Sequence, residues 1–169
     1  MLSIGAGDGI VSNDRTSSTC FIAREDVPSI VERVSAITQK PEHEIEIVQV
    51  GRYVQGQQYR QHFDAFDTNT ADGIRFAENG GQRVCTCLIY LNTVSEGGGT
   101  HFPVLNLTIN PEQGKLVVFF PADLNGTLDE MALHAALPAV DEKWVCQVWI
   151  RQRYTNGMQI GRASCRERV

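Results

Sequence analysis

Apolar residues in DVPSIVERVSAITQ (residues 26–39) fall at Ile30, Val31, Val34 and Ile37, the spacing of one face of a helix. Asp26 is placed to cap this helix, Pro28 fits its first turn, and Pro41 blocks its continuation. From Glu44 onward the period changes to two. EIEIVQV alternates strictly, QYRQHFDAF follows a Gly-Gln turn, and RVCTCLIYL, KLVVFF and KWVCQVWIR are fuller apolar runs, all with the texture of strands. Loops are predicted where Gly, Pro, Asn and Asp cluster: residues 1–19, then DTNTADGIRFAENGGQ, NTVSEGGGTHFP, NPEQG and PADLNGTLDE. The Gly5-x-Gly7 pair has Ile10 where a dinucleotide fingerprint needs its third glycine, and no βαβ alternation follows. One packing helix followed by many short strands predicts a mainly β chain of the α+β class. Its expected fold is a jelly roll, the double-stranded β-helix.

Bulk properties narrow the function classes. At 169 residues the chain is long enough for one buried core, and its composition is that of a soluble globular protein. The net charge of −5 argues against a nucleic-acid partner. No apolar run is long enough to span a membrane, and no signal-peptide pattern opens the chain, so a cytoplasmic setting is expected. The five cysteines include no C-x-x-C pair, the usage of a reduced compartment. Cys85 and Cys87 share a strand face, but no further paired cysteines complete a zinc set. EGGGT lacks the Lys-Ser/Thr of a phosphate loop and reads as a turn. The last ten residues, IGRASCRERV, read as a translated sequencing adapter. The expected division is therefore a domain over 1–159, truncated at its N-terminus, and an artefact tail over 160–169.

The candidate chemistry starts in YRQHFDAF. Residues two apart on a strand share a face, so His62 and Asp64 can converge on one ion, whereas Asp67 has the opposite parity. An H-x-D pair alone is by default a solvated polar strand, and a third ligand has to come from elsewhere. His43, in the charged PEHE segment, His101, in a glycine-rich loop, and His134, in the apolar MALHAALP, are the candidates. With His134 the set is two imidazoles and one carboxylate, which leaves one face of an octahedral ion open, as non-haem Fe(II) oxygenases require. Lys143 then lies nine residues beyond His134, where it can meet an anionic cosubstrate. Trp144 and Trp149 have opposite parity, and Trp149 is the one expected at the pocket.

Taken in order, RY-x-x-G-Q-x-Y-x-x-H-x-D, GGQR, YLN, EGGGT-x-F-P, G-K-L-V-x-F and H-A-A-L-P followed by KW-x-x-x-x-WIR resemble the prolyl 4-hydroxylase branch of the Fe(II)/2-oxoglutarate dioxygenases, over Arg15 to Arg153. The resemblance implies that His62, Asp64 and His134 are iron ligands and that Lys143 pairs with the distal carboxylate of 2-oxoglutarate. Tyr53 and Thr100 match side chains that hydrogen-bond that cosubstrate. Tyr59, Arg83 and Trp149 match the peptide and catalytic side of the pocket. Arg15-Thr16-Ser17 matches an RTS segment, preceded by a loop that closes over the peptide. It implies Fe(II), 2-oxoglutarate and O2 as reactants, ascorbate as reductant, and a proline-containing peptide or protein as substrate. Three departures stand out: the interval from His134 to Lys143 is one residue short of the collagen-type pattern, the N-terminal helix and first strand usual in the family are missing, and Arg151 replaces the histidine of some relatives. The alternatives are a hydroxylase of a free amino acid or another residue type, and a jelly-roll binding module without chemistry.

Overall fold

Alternation along KWVCQVWIR puts Lys143, Val145, Gln147, Trp149 and Arg151 on one face and Trp144, Cys146, Val148 and Ile150 on the other. In the computed structural model, which describes residues 14–155, the same run is strand β9 (Lys143–Arg151). It is central to an antiparallel sheet ordered β1 (Ser18–Ile22), β2 (Val48–Tyr53), β9, β4 (Arg83–Tyr90) and β7 (Leu116–Phe119). A smaller antiparallel sheet is ordered β3 (Tyr59–His62), β8 (His134–Ala136), β5 (Thr100–Phe102) and β6 (Leu107–Ile109). The two sheets form the expected jelly roll.

The even-numbered face of β9 carries the apolar core. Cys146, Val148 and Ile150 pack with Cys85, Cys87, Ile45 and Val48 beneath helix α1 (Pro28–Thr38), which contributes Val31 and Val34. The odd face looks between the sheets, where Tyr53, Tyr59, Leu88, Tyr90 and Val145 make a second cluster.

Two register slips decide which polar residues join that inner face. Arg83 pairs with Arg151, but Cys85 pairs with Ile150, so β4 carries one extra residue there and Arg83 turns to the side of Arg151. Likewise Ile45 bridges Ile150 while Gln49 pairs with Gln147, again one residue too many on the first strand. Strict alternation in EIEIVQV is therefore broken, and Glu46, on the polar side of that alternation, is buried.

Several sequence expectations need correction. Asp26 does not cap α1: it ends a short 3-10 turn (Arg24–Asp26), and Val27 occupies the N-cap without a side-chain hydrogen bond. The helix stops at Gln39, which takes the left-handed conformation at φ 55°, two residues before Pro41. Ile37, assigned to the apolar face, is 57% exposed. The predicted loop over 67–82 contains helix α2 (Ala71–Glu78), capped by the Thr70 hydroxyl, which accepts from Gly73 N at 3.0 Å. Gly73 is required there, because a Cβ would come within 1.9 Å of the Asp67 carbonyl oxygen. The predicted loop over 1–19 ends early, since β1 begins at Ser18. Thr100 to Phe102, also read as loop, form β5. Gly5, Gly7 and the tail over 160–169 lie outside the described residues. Among the described residues no helix is long and apolar enough to cross a membrane.

Candidate active site

His62 ends β3 and His134 begins β8, and the two are cross-strand partners with ring centroids 4.3 Å apart. Each ring is oriented by a backbone carbonyl two residues earlier: His62 Nδ1 lies 2.8 Å from Arg60 O and His134 Nδ1 lies 2.9 Å from Ala132 O. A carbonyl can only accept, so Nδ1 carries a proton in both rings and Nε2 is the nitrogen left to serve as a ligand atom. The chain bends after β3 and brings Asp64 opposite both rings. Its Oδ1 is 3.8 Å from His62 Nε2, and its Oδ2 is 3.9 Å from His134 Nε2. One ligand atom from each residue falls within 4.8 Å of the others.

Electrostatics favours the ligand form of these groups. Burial, reinforced by the neighbouring His134, pulls His62 down to about 3, so the ring is neutral. Burial alone would raise Asp64, but His134, His62 and Arg83 outweigh it and hold the carboxyl below its usual range. His62 Nε2 is buried without a hydrogen-bond partner. Such an orphan costs on the order of 1–3 kcal/mol unless something fills its lone pair. Two imidazoles and an ionised carboxylate form a donor set that fits a divalent cation, which would fill it.

A second layer fixes Asp64. Thr86 Oγ1 donates to Asp64 Oδ2 at 2.8 Å, and Thr86 pairs across the sheet with Trp149. The Trp149 indole N–H helps keep Asp64 ionised without completing a regular hydrogen bond. Arg83 lies 3.9 Å from the Trp149 ring centre and donates through Nε and Nη2 to Glu46 at 2.7 and 2.8 Å. Arg151 Nε stands 2.7 Å from the same carboxylate, while its terminal nitrogens donate to Gly81 O and Phe76 O. Burial would raise Glu46, but the two guanidiniums hold it low; burial pulls Arg151 down to about 10.

On the inner face of the sheets a narrow cavity runs from the two histidines to Lys143, with Tyr53, Tyr59, Thr100 and Gln147 in its walls. Lys143 is 1% exposed; its Nζ donates to Gly98 O at 2.6 Å and lies 4.4 Å from the Tyr53 ring centre. Burial first, and Arg15 second, pull its ammonium down to about 8. Among the described residues Lys143 makes no ion pair. Thr100 Oγ1 accepts from Tyr90 OH at 2.7 Å. Tyr59 stacks on His62, with centroids 3.5 Å apart and planes 12° apart.

Six of the nine predicted site residues thus line one cavity, His62, His134, Tyr53, Tyr59, Thr100 and Lys143, and Asp64 completes the metal cluster with the two histidines. Arg83 and Trp149 do not line the cavity and contact Asp64 and Glu46 instead. His43 is exposed beside Tyr154, and His101 bonds to Thr108, so neither joins the cluster. Sequence reasoning missed Glu46, Thr86, Tyr90 and Gln147, and named Arg151 only as a departure from relatives. Only Thr86 carried a local signal, as a polar residue inside the apolar run RVCTC.

Residues 48–151 match the family described as the 2OG-Fe(II) oxygenase superfamily. Among curated relatives, Prolyl 4-hydroxylase 1 of Arabidopsis thaliana is 31% identical over 175 residues, covering 92% of this chain and 60% of that protein. Prolyl 4-hydroxylase 13 of the same plant is 35% identical over 144 residues, covering 74% and 50%. The chain spans about 60% of the length of the first curated relatives it matches. Among solved structures, the viral collagen prolyl hydroxylase of Paramecium Bursaria Chlorella virus-1, in a 2OG complex, is 32% identical with a TM-score of 0.69. That match covers 82% of this chain and 80% of the viral one. A Pseudomonas putida prolyl-4-hydroxylase at 22% identity and a TM-score of 0.58 shares the fold.

Proposed function

The chain belongs to the 2OG-Fe(II) oxygenase superfamily, and on that premise we propose that it is an Fe(II)- and 2-oxoglutarate-dependent dioxygenase hydroxylating prolyl residues of a peptide or protein at the 4-position. One observation carries the reading: a single cavity joins the histidines of a two-His, one-carboxylate cluster to a buried lysine that makes no ion pair among the described residues. The relatives' names supply the prolyl substrate.

In this reading His62, Asp64 and His134 hold Fe(II). Bound there, the iron supplies the oxidising chemistry. One atom of O2 enters the product hydroxyl, the other enters succinate, and CO2 leaves; ascorbate serves as external reductant. The protein's own part is binding and orientation. The Lys143 ammonium receives the distal carboxylate of 2-oxoglutarate, whose charge replaces the anion the lysine lacks. Thr100, hydrogen-bonded to Tyr90, lines the cavity beside Tyr53, where its hydroxyl can meet the cosubstrate. Tyr59, stacked on His62, forms the wall on the peptide side. Thr86, Trp149 and Arg83 act through Asp64, holding its carboxylate ionised and aimed at the two rings.

The test is mass spectrometry of proline-containing peptide libraries incubated with Fe(II), 2-oxoglutarate and ascorbate. The expected outcome is the gain of one oxygen atom on proline, matched by succinate, with loss of both in His134→Ala. Succinate without oxygen on any proline would reassign the substrate. Absence of the anaerobic charge-transfer band of Fe(II) with 2-oxoglutarate would leave only a binding module.

A further inference from the structure

The cavity is flanked by a second cation that the proposed chemistry does not use. Residues 14–16 run antiparallel to the start of β3: Arg60 N donates to Asp14 O at 2.8 Å and Thr16 N donates to Gln58 O at 3.0 Å. Arg15 thereby bridges Tyr59, and its guanidinium lies 5.0 Å from the centre of that ring. Arg15 Nη2 donates to Gln147 Oε1 at 3.3 Å, and Nε donates to Ser17 Oγ at 3.0 Å. Tyr59 and Gln147 are both cavity walls.

The guanidinium lies over Gly51 of β2, where a Cβ would stand at an ordinary contact distance of 3.4 Å from Arg15 Nη2. Every partner of Arg15 is neutral, and among the described residues it forms no ion pair. Its charge reaches the cavity, since it lowers the proton affinity of Lys143. Among the described residues, two cations without an ion-pair partner therefore stand at one small cavity, Lys143 in its wall and Arg15 behind the walls Tyr59 and Gln147. Their mutual repulsion is relieved when a ligand brings negative charge between them.

We propose that Arg15 is a specificity-determining residue of the cosubstrate pocket, a second cation that works with Lys143 to retain a small dicarboxylate in preference to a monocarboxylate. The inference rests on the cosubstrate reading above. It also couples ligand binding to the backbone, because the Arg15-Thr16-Ser17 segment is tied to β3. An anion that attracts the guanidinium stabilises that pairing by the same free energy.

Anaerobic calorimetric titration of the Fe(II)-loaded full chain with 2-oxoglutarate, and separately with pyruvate, tests this. Arg15→Gln should raise the Kd for 2-oxoglutarate about tenfold, the effect of losing one charge-assisted contact, while pyruvate shifts by less than about twofold. Arg15→Lys, which keeps the charge but not the fork, should recover part of the loss. Fe(II) affinity should be unchanged in both variants. In the parent chain 2-oxoglutarate should slow amide hydrogen exchange at residues 14–17, and in Arg15→Gln it should not. Equal Kd values in parent and Arg15→Gln would overturn the proposal, as would equal weakening of pyruvate. Lys143→Ala separates the two levels. If it abolishes 2-oxoglutarate binding while Arg15→Gln is silent, only the Arg15 inference falls; if both are silent, the pocket reading falls with it.

Discussion

The two faces of β9 share one backbone and one set of sheet hydrogen bonds, yet they do opposite things. On the even face, Cys146, Val148 and Ile150 meet Val31, Val34, Ile45, Val48, Cys85 and Cys87 with no polar group among them. On the odd face Lys143, Gln147 and Arg151 are buried beside Gln49, Thr86, Arg83 and Glu46. Burying so many polar groups in a strand pair is unfavourable unless each has a partner. Arg83 and Thr86 have theirs, and Arg151 donates to two carbonyls beside the Glu46 carboxylate. Gln49 and Trp149 each keep an unmet polar atom, but at the cavity it is His62 Nε2 that lacks a hydrogen bond and Lys143 that makes no ion pair among the described residues. The helix-facing side of the strand supplies stability, and the other side carries unmet valences a ligand can meet.

Substitutions on each face should break this contrast in different ways. The largest effect is expected at Glu46, the lone carboxylate between Arg83 and Arg151. Glu46→Ala leaves two buried guanidiniums without their anion and should lower unfolding free energy by about 3–5 kcal/mol in denaturant titration. It should also weaken Fe(II) binding in the fraction that folds, because Arg83 contacts Asp64. On the opposite face, Ile150→Ala removes a fully buried side chain and should cost about 2–5 kcal/mol. Its Fe(II) and 2-oxoglutarate affinities, measured on folded protein, should match the parent. A large affinity change in Ile150→Ala would mean that the two faces are not separable.

The same contrast explains what could be read from the sequence. The helix-facing side was legible because its residues follow simple periods: β9 spans the same residues as the run KWVCQVWIR, and Val31 and Val34 come from the three-four spacing of α1. His62, Asp64, His134 and Lys143 were legible because motifs in fixed order pointed to them together. Glu46 was not, since local alternation assigns it to solvent and only the slip before Gln49 turns it inward. The inward turn of Arg83 depends likewise on the extra residue at Val84, which shows only against the register of β9. The three-residue strands β5 and β6 have too little pattern of their own, and β5 owes its state to pairing with β8 and β6. Helix α2 hid behind flanking Asn and Gly residues that usually mark loops.

The smallest expected effect is also the one that separates ligand binding from stability most cleanly, because Lys143 pushes the two in opposite directions with pH. Burial lowers its proton affinity from 10.5 to about 8 in the native chain. Between those values the unfolded chain binds more protons than the native one, so this group makes stability rise with pH across that window. Its attraction for an anion falls over the same window, as the native ammonium loses its proton. The Kd of the Fe(II)-loaded chain for 2-oxoglutarate should therefore rise about tenfold between pH 7 and 9, while the unfolding free energy contributed by Lys143 increases. Lys143→Met should flatten both profiles. A Kd that stays flat through pH 9 in the parent chain would mean that the lysine is not the group that holds the anion.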